Sequence, residues 1–119
     1  MNETPARVSA TGSVTEATIV MTSFARIAES KPAAFERLLR NHGMLRAWGD
    51  CYGYLMVAAG RADAMLDPEM NIWDAAALYP IVTEAGGRMT TWEGEDRVGD
   101  SVVASNGRIH DESLAMLQP

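Results

Sequence analysis

Cysteine is almost missing from this sequence. Cys51 is the only one in 119 residues, so no internal disulfide can form. Histidine is nearly as scarce: His42 and His110 are isolated, and no Cys/His group has zinc-ligand spacing. Any metal would therefore be held by oxygen, which selects magnesium, manganese or calcium over zinc. Positive charge is also short. Ten Lys and Arg against sixteen Asp and Glu leave a net charge of −6, and the resulting field repels nucleic acid and anionic membranes, so neither is expected as a partner. No apolar run reaches membrane-spanning length, and the first residues lack a basic region followed by a hydrophobic stretch. Cytoplasm is the expected location.

What is present suits a soluble core. Apolar residues make up 47% of a length that fits one domain, and a domain of this size buries roughly two thirds of its extended surface. Residues 1–13 are polar and irregular and are expected to fray, leaving 14–119 as the folded unit. The β-branched run Thr18–Phe24 predicts a strand. Ser30-Lys31-Pro32 predicts a helix entrance, Phe35, Leu38 and Leu39 its apolar stripe, Glu36 and Arg40 an i,i+4 pair, and Asn41-His42-Gly43 its end. Met44–Trp48 predicts a short strand. Asp50 then stands as N-cap to Cys51–Ala59, apolar all round and so expected to be buried, with Gly60 as its stop.

Ala64–Asp67 reads as a further strand, leading into a helix over Trp73–Ala85 that Pro80 should kink or locally loosen. Arg88–Trp92 and Ser101–Ser105 predict two strands joined by the acidic loop Glu93–Asp100. Asn106-Gly107 is a turn, and Asp111 caps a last helix ending at Leu117. Strands alternating with helices give an α/β layered domain with a mixed or mostly parallel sheet flanked by helices.

Asp74 opens an almost wholly apolar helix that ends in Gly86-Gly87. An acid there either caps the helix or faces a cation or ligand beside the unpaired amides of the first turn. Asp67 lies seven residues earlier at a strand end. The two carboxylates can line one cleft across the connection, suiting magnesium or a substrate hydroxyl.

Three stretches carry a resemblance: Ala58-Ala59-Gly60-Arg61-Ala62-Asp63, Trp73-Asp74-Ala75-Ala76 and Glu84-Ala85-Gly86-Gly87. Together they resemble the C-terminal half of the inositol monophosphatase family, magnesium-dependent phosphomonoesterases. Weaker similarity runs from Ala6 to Leu117. Arg46-Ala47-Trp48-Gly49-Asp50-Cys51-Tyr52-Gly53-Tyr54, with Ala6-Arg7-Val8-Ser9, is similar to the histidinol-phosphatase branch. The resemblance implies the C-terminal portion of a layered α-β-α-β-α sandwich. It implies Asp74 as a ligand of magnesium (Mg2+), Asp67 as a substrate-contacting acid, and Asp50 beside the organic part of a small phosphorylated metabolite. L-histidinol phosphate, with its ammonium and imidazole, is the expected substrate; inositol phosphate or a related sugar phosphate is the alternative.

The glutamate pair and the Asp-Pro-x-Asp-Gly-Thr motif that the family uses for its metal cluster do not occur here; Asp67-Pro68-Glu69-Met70 lacks the second aspartate and the glycine. One aspartate does not hold two or three magnesium ions. The chain is therefore expected to be a C-terminal fragment, inactive alone, that self-associates or pairs with a missing N-terminal half; a non-catalytic remnant or interaction module is the other reading. Trp48 and Trp73 are expected to pack beneath the site, Tyr52 and Tyr54 to be buried with bonded hydroxyls, and Cys51 to be an inert core thiol. His42 and His110 are expected at the surface or in caps, and Arg46 and Arg61 in surface salt bridges.

Overall fold

The computed structural model describes residues 5–118 apart from His42 and Gly49; the side chains of Asn41, Asp50 and Cys51 also fall outside the described residues, as do the roles expected of His42 and Cys51. Short runs form the strands, β-branched in the first and last of them; the three inner strands are almost wholly buried, whereas the edge strand over Met44–Ala47 buries only Leu45. The strands are β1 (Thr18–Met21), β2 (Met44–Ala47), β3 (Ala64–Asp67), β4 (Arg88–Thr90) and β5 (Val102–Ser105); the helices are α1 (Phe24–Ser30), α2 (Pro32–Asn41), α3 (Asp50–Ala58), α4 (Ile72–Glu84) and α5 (His110–Leu117). The sheet runs β2-β1-β3-β5-β4. β1 pairs in parallel with β2 and β3, while β5 runs antiparallel to both β3 and β4.

The two-residue period of a strand sends alternate side chains to opposite faces. Ile19, Met21, Ala64, Leu66 and Val103 enter one cluster, closed by Ile27 of α1, Leu38 of α2, Leu117 of α5 and Trp92. Val20, Met65, Val102 and Ala104 enter the other, closed by Tyr54 and Val57 of α3 and by Ala75, Leu78 and Val82 of α4. The result is the expected α/β arrangement, a mixed five-stranded sheet between two helical layers. No helix among the described residues is long and apolar enough to cross a membrane.

Several local expectations need correction. β1 stops at Met21, and Ser23 instead caps the unforeseen helix α1 by accepting the Arg26 amide at 3.2 Å. β4 stops at Thr90 because the chain turns there, the Thr91 carbonyl accepting from Gly94. Helix α4 runs through Pro80 as expected, at an exposed position where water can reach the carbonyl that proline leaves without a donor. Residues 5–13 carry no helix or strand, yet they are not frayed: the Val8 amide donates to Ala85, Ser9 donates to Asp63, and the Asn106 side-chain amide donates to Ser9 at 3.0 Å and to the Thr11 carbonyl at 2.8 Å. The Glu36–Arg40 pair forms as expected, at 2.6 Å.

Glycine is required where the helix meets the sheet. Gly86 ends α4 with φ 93°, a conformation that side chains resist. At Gly87 a Cβ would stand 2.5 Å from the backbone oxygen of Ser105, so the pair fixes how closely β4 enters beside β5.

Candidate functional site

The three acidic candidates gather at the carboxyl ends of the parallel strands, where open α/β sheets place their ligands. Asp67 is the last residue of β3, Asp50 the first residue of α3 after β2, and Asp74 lies in the first turn of α4. The Asp50 side chain lies outside the described residues. Asp74 is not the N-cap: Asn71 holds that position and makes no side-chain cap bond, so Asp74 sits three residues in, where the helix dipole favours an acid. Its carboxylate is exposed, and the Asn71 side-chain amide approaches it at 3.5 Å. It is therefore open to a ligand.

Asp67 has the opposite environment. It is 5% exposed and accepts a hydrogen bond from the Tyr54 hydroxyl at 2.5 Å. Tyr54 is fully buried, as expected from the sequence, and its phenol is pushed well above its ordinary pKa, first by burial and then by the Asp67 charge and hydrogen bond. Tyr54 is thus a fixed donor that orients the acid. This partner was missed in the sequence, although an inward tyrosine one helical turn after Asp50 is a signal for it. Tyr54→Phe keeps the ring but leaves a buried carboxylate short of a donor, and it should lower unfolding stability by about 1–3 kcal/mol. Urea denaturation, with Asp67→Asn in a double-mutant cycle, checks this; additive effects would mean that the two groups do not interact.

A polar cleft of about 350 Å³ opens nearby, between Arg26 of α1, the segment Pro68–Asn71 and Asp100. The Met70 amide donates to the Asp100 carbonyl at 2.7 Å, which ties the β4–β5 loop to the approach to α4. Sequence reasoning did not single out Arg26 or Asp100; they are distant in sequence, and only the strand order brings them together.

The tryptophans and one tyrosine depart from expectation. Trp73 is 71% exposed, Trp48 45% and Tyr52 52%. α4 turns only Ala75, Leu78 and Val82 fully inward, which leaves Trp73 outside, while Trp48 and Tyr52 pack on each other. His110 departs the other way: it is wholly buried between β4 and β5, within 2.9 Å of Thr90 Oγ1 and 2.6 Å of Ser105 Oγ. Asp111 is accordingly not a cap but lies in the first turn of α5, paired with Arg88 at 2.8 Å. Asp63, within one of the motif stretches, is structural: its carboxylate accepts from Ser9 and from the Thr18 amide. Neither Arg46 nor Arg61 takes part in a salt bridge among the described residues.

These acids suit a hard cation in kind but not in number. Among the described residues no group of three or more His, Cys, Asp or Glu side chains is placed to hold a metal ion. Asp74 can give one oxygen ligand; further ligands would have to come from elsewhere.

The chain matches known proteins over part of their length. A histidinol-phosphatase of Chlorobaculum parvum is 34% identical over 120 residues, covering 98% of this chain and 46% of that protein. One of Mycobacterium tuberculosis is 46% identical over 74 residues, 61% of this chain and 28% of its own length. The solved IMPase of Thermotoga maritima superimposes with a TM-score of 0.86 at 30% identity, over 98% of this chain and 46% of its own. The chain spans about half the length, or less, of these relatives. The model of the inositol monophosphatase family matches residues 1–119, and with the fold superimposing over nearly the whole chain, the chain belongs to that phosphatase family.

Proposed function

We propose that this chain supplies the C-terminal part of a magnesium-dependent phosphomonoesterase site whose substrate is L-histidinol phosphate. The observation that carries the reading is the pair of unlike carboxylates at one end of the sheet, Asp74 exposed in a helix's first turn and Asp67 buried on Tyr54. Asp74 would give one oxygen to the cation. Asp67, oriented by Tyr54, would accept a hydrogen bond from the substrate's organic part, and Asp50 would stand beside that part. A carboxylate at Asp50 favours a cationic ligand over a neutral polyol by about 1–3 kcal/mol when partly desolvated. Magnesium, when bound, supplies a Lewis acid for the phosphoryl oxygens and lowers the pKa of a bound water. The histidinol-phosphatases among the relatives support this substrate; the Thermotoga maritima IMPase supports inositol phosphate as the alternative.

The remaining ligands would come from a second stretch of polypeptide. On α4 Trp73 points away from the sheet and Ile72 and Ile81 lie on its two flanks, each exposed, apolar surface that such a half, or another copy of the chain, would cover. The test is magnesium-dependent phosphate release from L-histidinol phosphate, by the chain alone and mixed with a separately made N-terminal half of a histidinol-phosphatase relative. Release is expected only in the mixture, and Asp74→Asn should lower it at least about a hundredfold, the loss of about 3 kcal/mol of transition-state stabilisation. Release by the chain alone would overturn the half-site reading. Absence of release in both would leave a non-catalytic module.

A further inference from the structure

The turn between β2 and α3 exposes two large rings in an ordered arrangement. Trp48 and Tyr52 stack on each other with ring centroids 5.2 Å apart and planes inclined by 29°, although they remain 45% and 52% exposed. Stacking holds the pair as one rigid unit, so a third ring meets a prepared surface and little side-chain freedom is lost on contact. The turn itself is anchored. The Trp48 amide donates to the Met21 carbonyl at the end of β1 at 2.8 Å. At Gly53 an added Cβ would lie 2.5 Å from Met65 Sδ and 3.1 Å from the Trp48 carbonyl oxygen, so the start of α3 is pressed against both β3 and the turn. Two residues beyond Tyr52, Tyr54 points inward to Asp67. One short segment therefore presents aromatic faces outward and orients the substrate-contacting acid inward.

The charge at this turn selects the occupant. Asp50 lies midway between the two rings in sequence, and the aromatic faces are themselves electron-rich. The guanidinium of Arg46, the nearest cation in sequence, donates to the Leu45 carbonyl. An electron-rich platform with an acid attracts a planar cation more strongly than a neutral polyol, which lacks both the charge and the flat face. We propose that the Trp48–Tyr52 pair is a recognition platform for a planar, cationic organic group, an imidazole or imidazolium type ring, on the phosphomonoester. The proposal rests on the phosphatase reading for its place in the reaction, but binding to the platform requires neither metal nor phosphate.

L-histidinol, which carries the ring and the ammonium without the phosphate, is the probe. In a Trp73→Phe background Trp48 is the exposed indole, since Trp92 is 3% exposed. Titrating L-histidinol should quench its fluorescence saturably, with half-saturation on the order of 1–10 mM, and inositol should not. Tyr52→Leu, which keeps apolar bulk but removes the stacked ring, should weaken L-histidinol binding about tenfold, with circular dichroism showing the fold retained. Three results would overturn the proposal: no saturable response, an equal response to inositol, or a Tyr52→Leu variant that binds as before while its sedimentation shows a changed oligomeric state. The last would make the pair an interface between chains. Failure here leaves phosphate release untouched, and L-histidinol binding without phosphate release from the reconstituted mixture would strike the phosphatase reading alone.

Discussion

Trp92→Ala is expected to destabilise the domain by about 3–5 kcal/mol, the range for truncating a buried large aromatic. The side chain is 3% exposed and joins the cluster formed by Ile27, Leu38, Ile109 and Leu117. It is also bonded at three points. The indole N–H donates to the Val102 carbonyl at 3.0 Å, the backbone amide donates to Ser101 Oγ at 3.0 Å, and the carbonyl accepts from the Gln118 side chain at 2.6 Å. Truncation removes the first of these and opens a cavity where α2, α5 and the β4–β5 loop meet. Against a total stability of about 5–15 kcal/mol, that is a large share, and the melting temperature should fall by about 10–20 °C. Trp73→Ala is the control. The same residue type 71% exposed in α4 should change stability by no more than about 0.5 kcal/mol. Thermal or urea unfolding of both variants checks the pair; comparable losses would show that α4 is covered and that the burial of Trp92 has been overstated.

The contrast between these two tryptophans shows what was legible in the sequence. The strands around Ile19 and Val103 were readable as short, β-branched apolar runs, and the one around Leu66 as a short apolar run between turn residues. The helix over Trp73–Ala85 was readable from the greater length of its apolar run, with Gly86 marking its end. Its orientation was not. Ile72, Trp73, Leu78, Ile81 and Val82 are all apolar, so the sequence offers no polar face by which to choose the inward side, and packing selects Ala75, Leu78 and Val82. Helix α1 was hidden for a different reason: its seven residues bury Ile27 alone, and the preceding Thr22-Ser23-Phe24 extends a strand-like run.

The candidate site was legible by position and illegible by environment. Asp67 at a strand end and Asp74 at a helix start could be placed from turn and cap signals. That one is buried on a tyrosine and the other open to solvent depends on contacts between residues thirteen apart and on which helix covers which face. His110 shows the limit clearly. Its partners Thr90 and Ser105 meet only because β4 and β5 pair in a particular register, and no periodic pattern in the sequence encodes a buried polar triad.

Acidification should weaken the fold through that same histidine. Thr90 Oγ1 donates to the Thr91 carbonyl at 2.8 Å, so it accepts from the N–H of His110 Nε2; Ser105 Oγ, which accepts the Gly107 amide, donates in turn to Nδ1. The neutral ring is fully satisfied, and protonating Nδ1 would set two donors against each other. Burial lowers the His110 pKa to about 4 from 6.5, with the nearby Arg88 guanidinium adding to the shift and the Asp111 and Asp96 carboxylates opposing it. Above pH 6.5 the ring is neutral in both folded and unfolded chains, and its stabilising bonds are present in full. As the pH falls from 6.5 towards 4 the unfolded chain takes up the proton first, so stability declines across that window and the loss is complete below it. The shift corresponds to about 3 kcal/mol. Urea unfolding at pH 7, 6, 5 and 4 should show this decline for the native sequence, and a His110→Gln variant, less stable at pH 7, should lose less stability between pH 7 and pH 4, by up to about that amount. Parallel slopes for the two proteins would mean that His110 takes up its proton in the folded state without penalty, and that the Thr90–His110–Ser105 triad is not the latch holding α5 to the sheet.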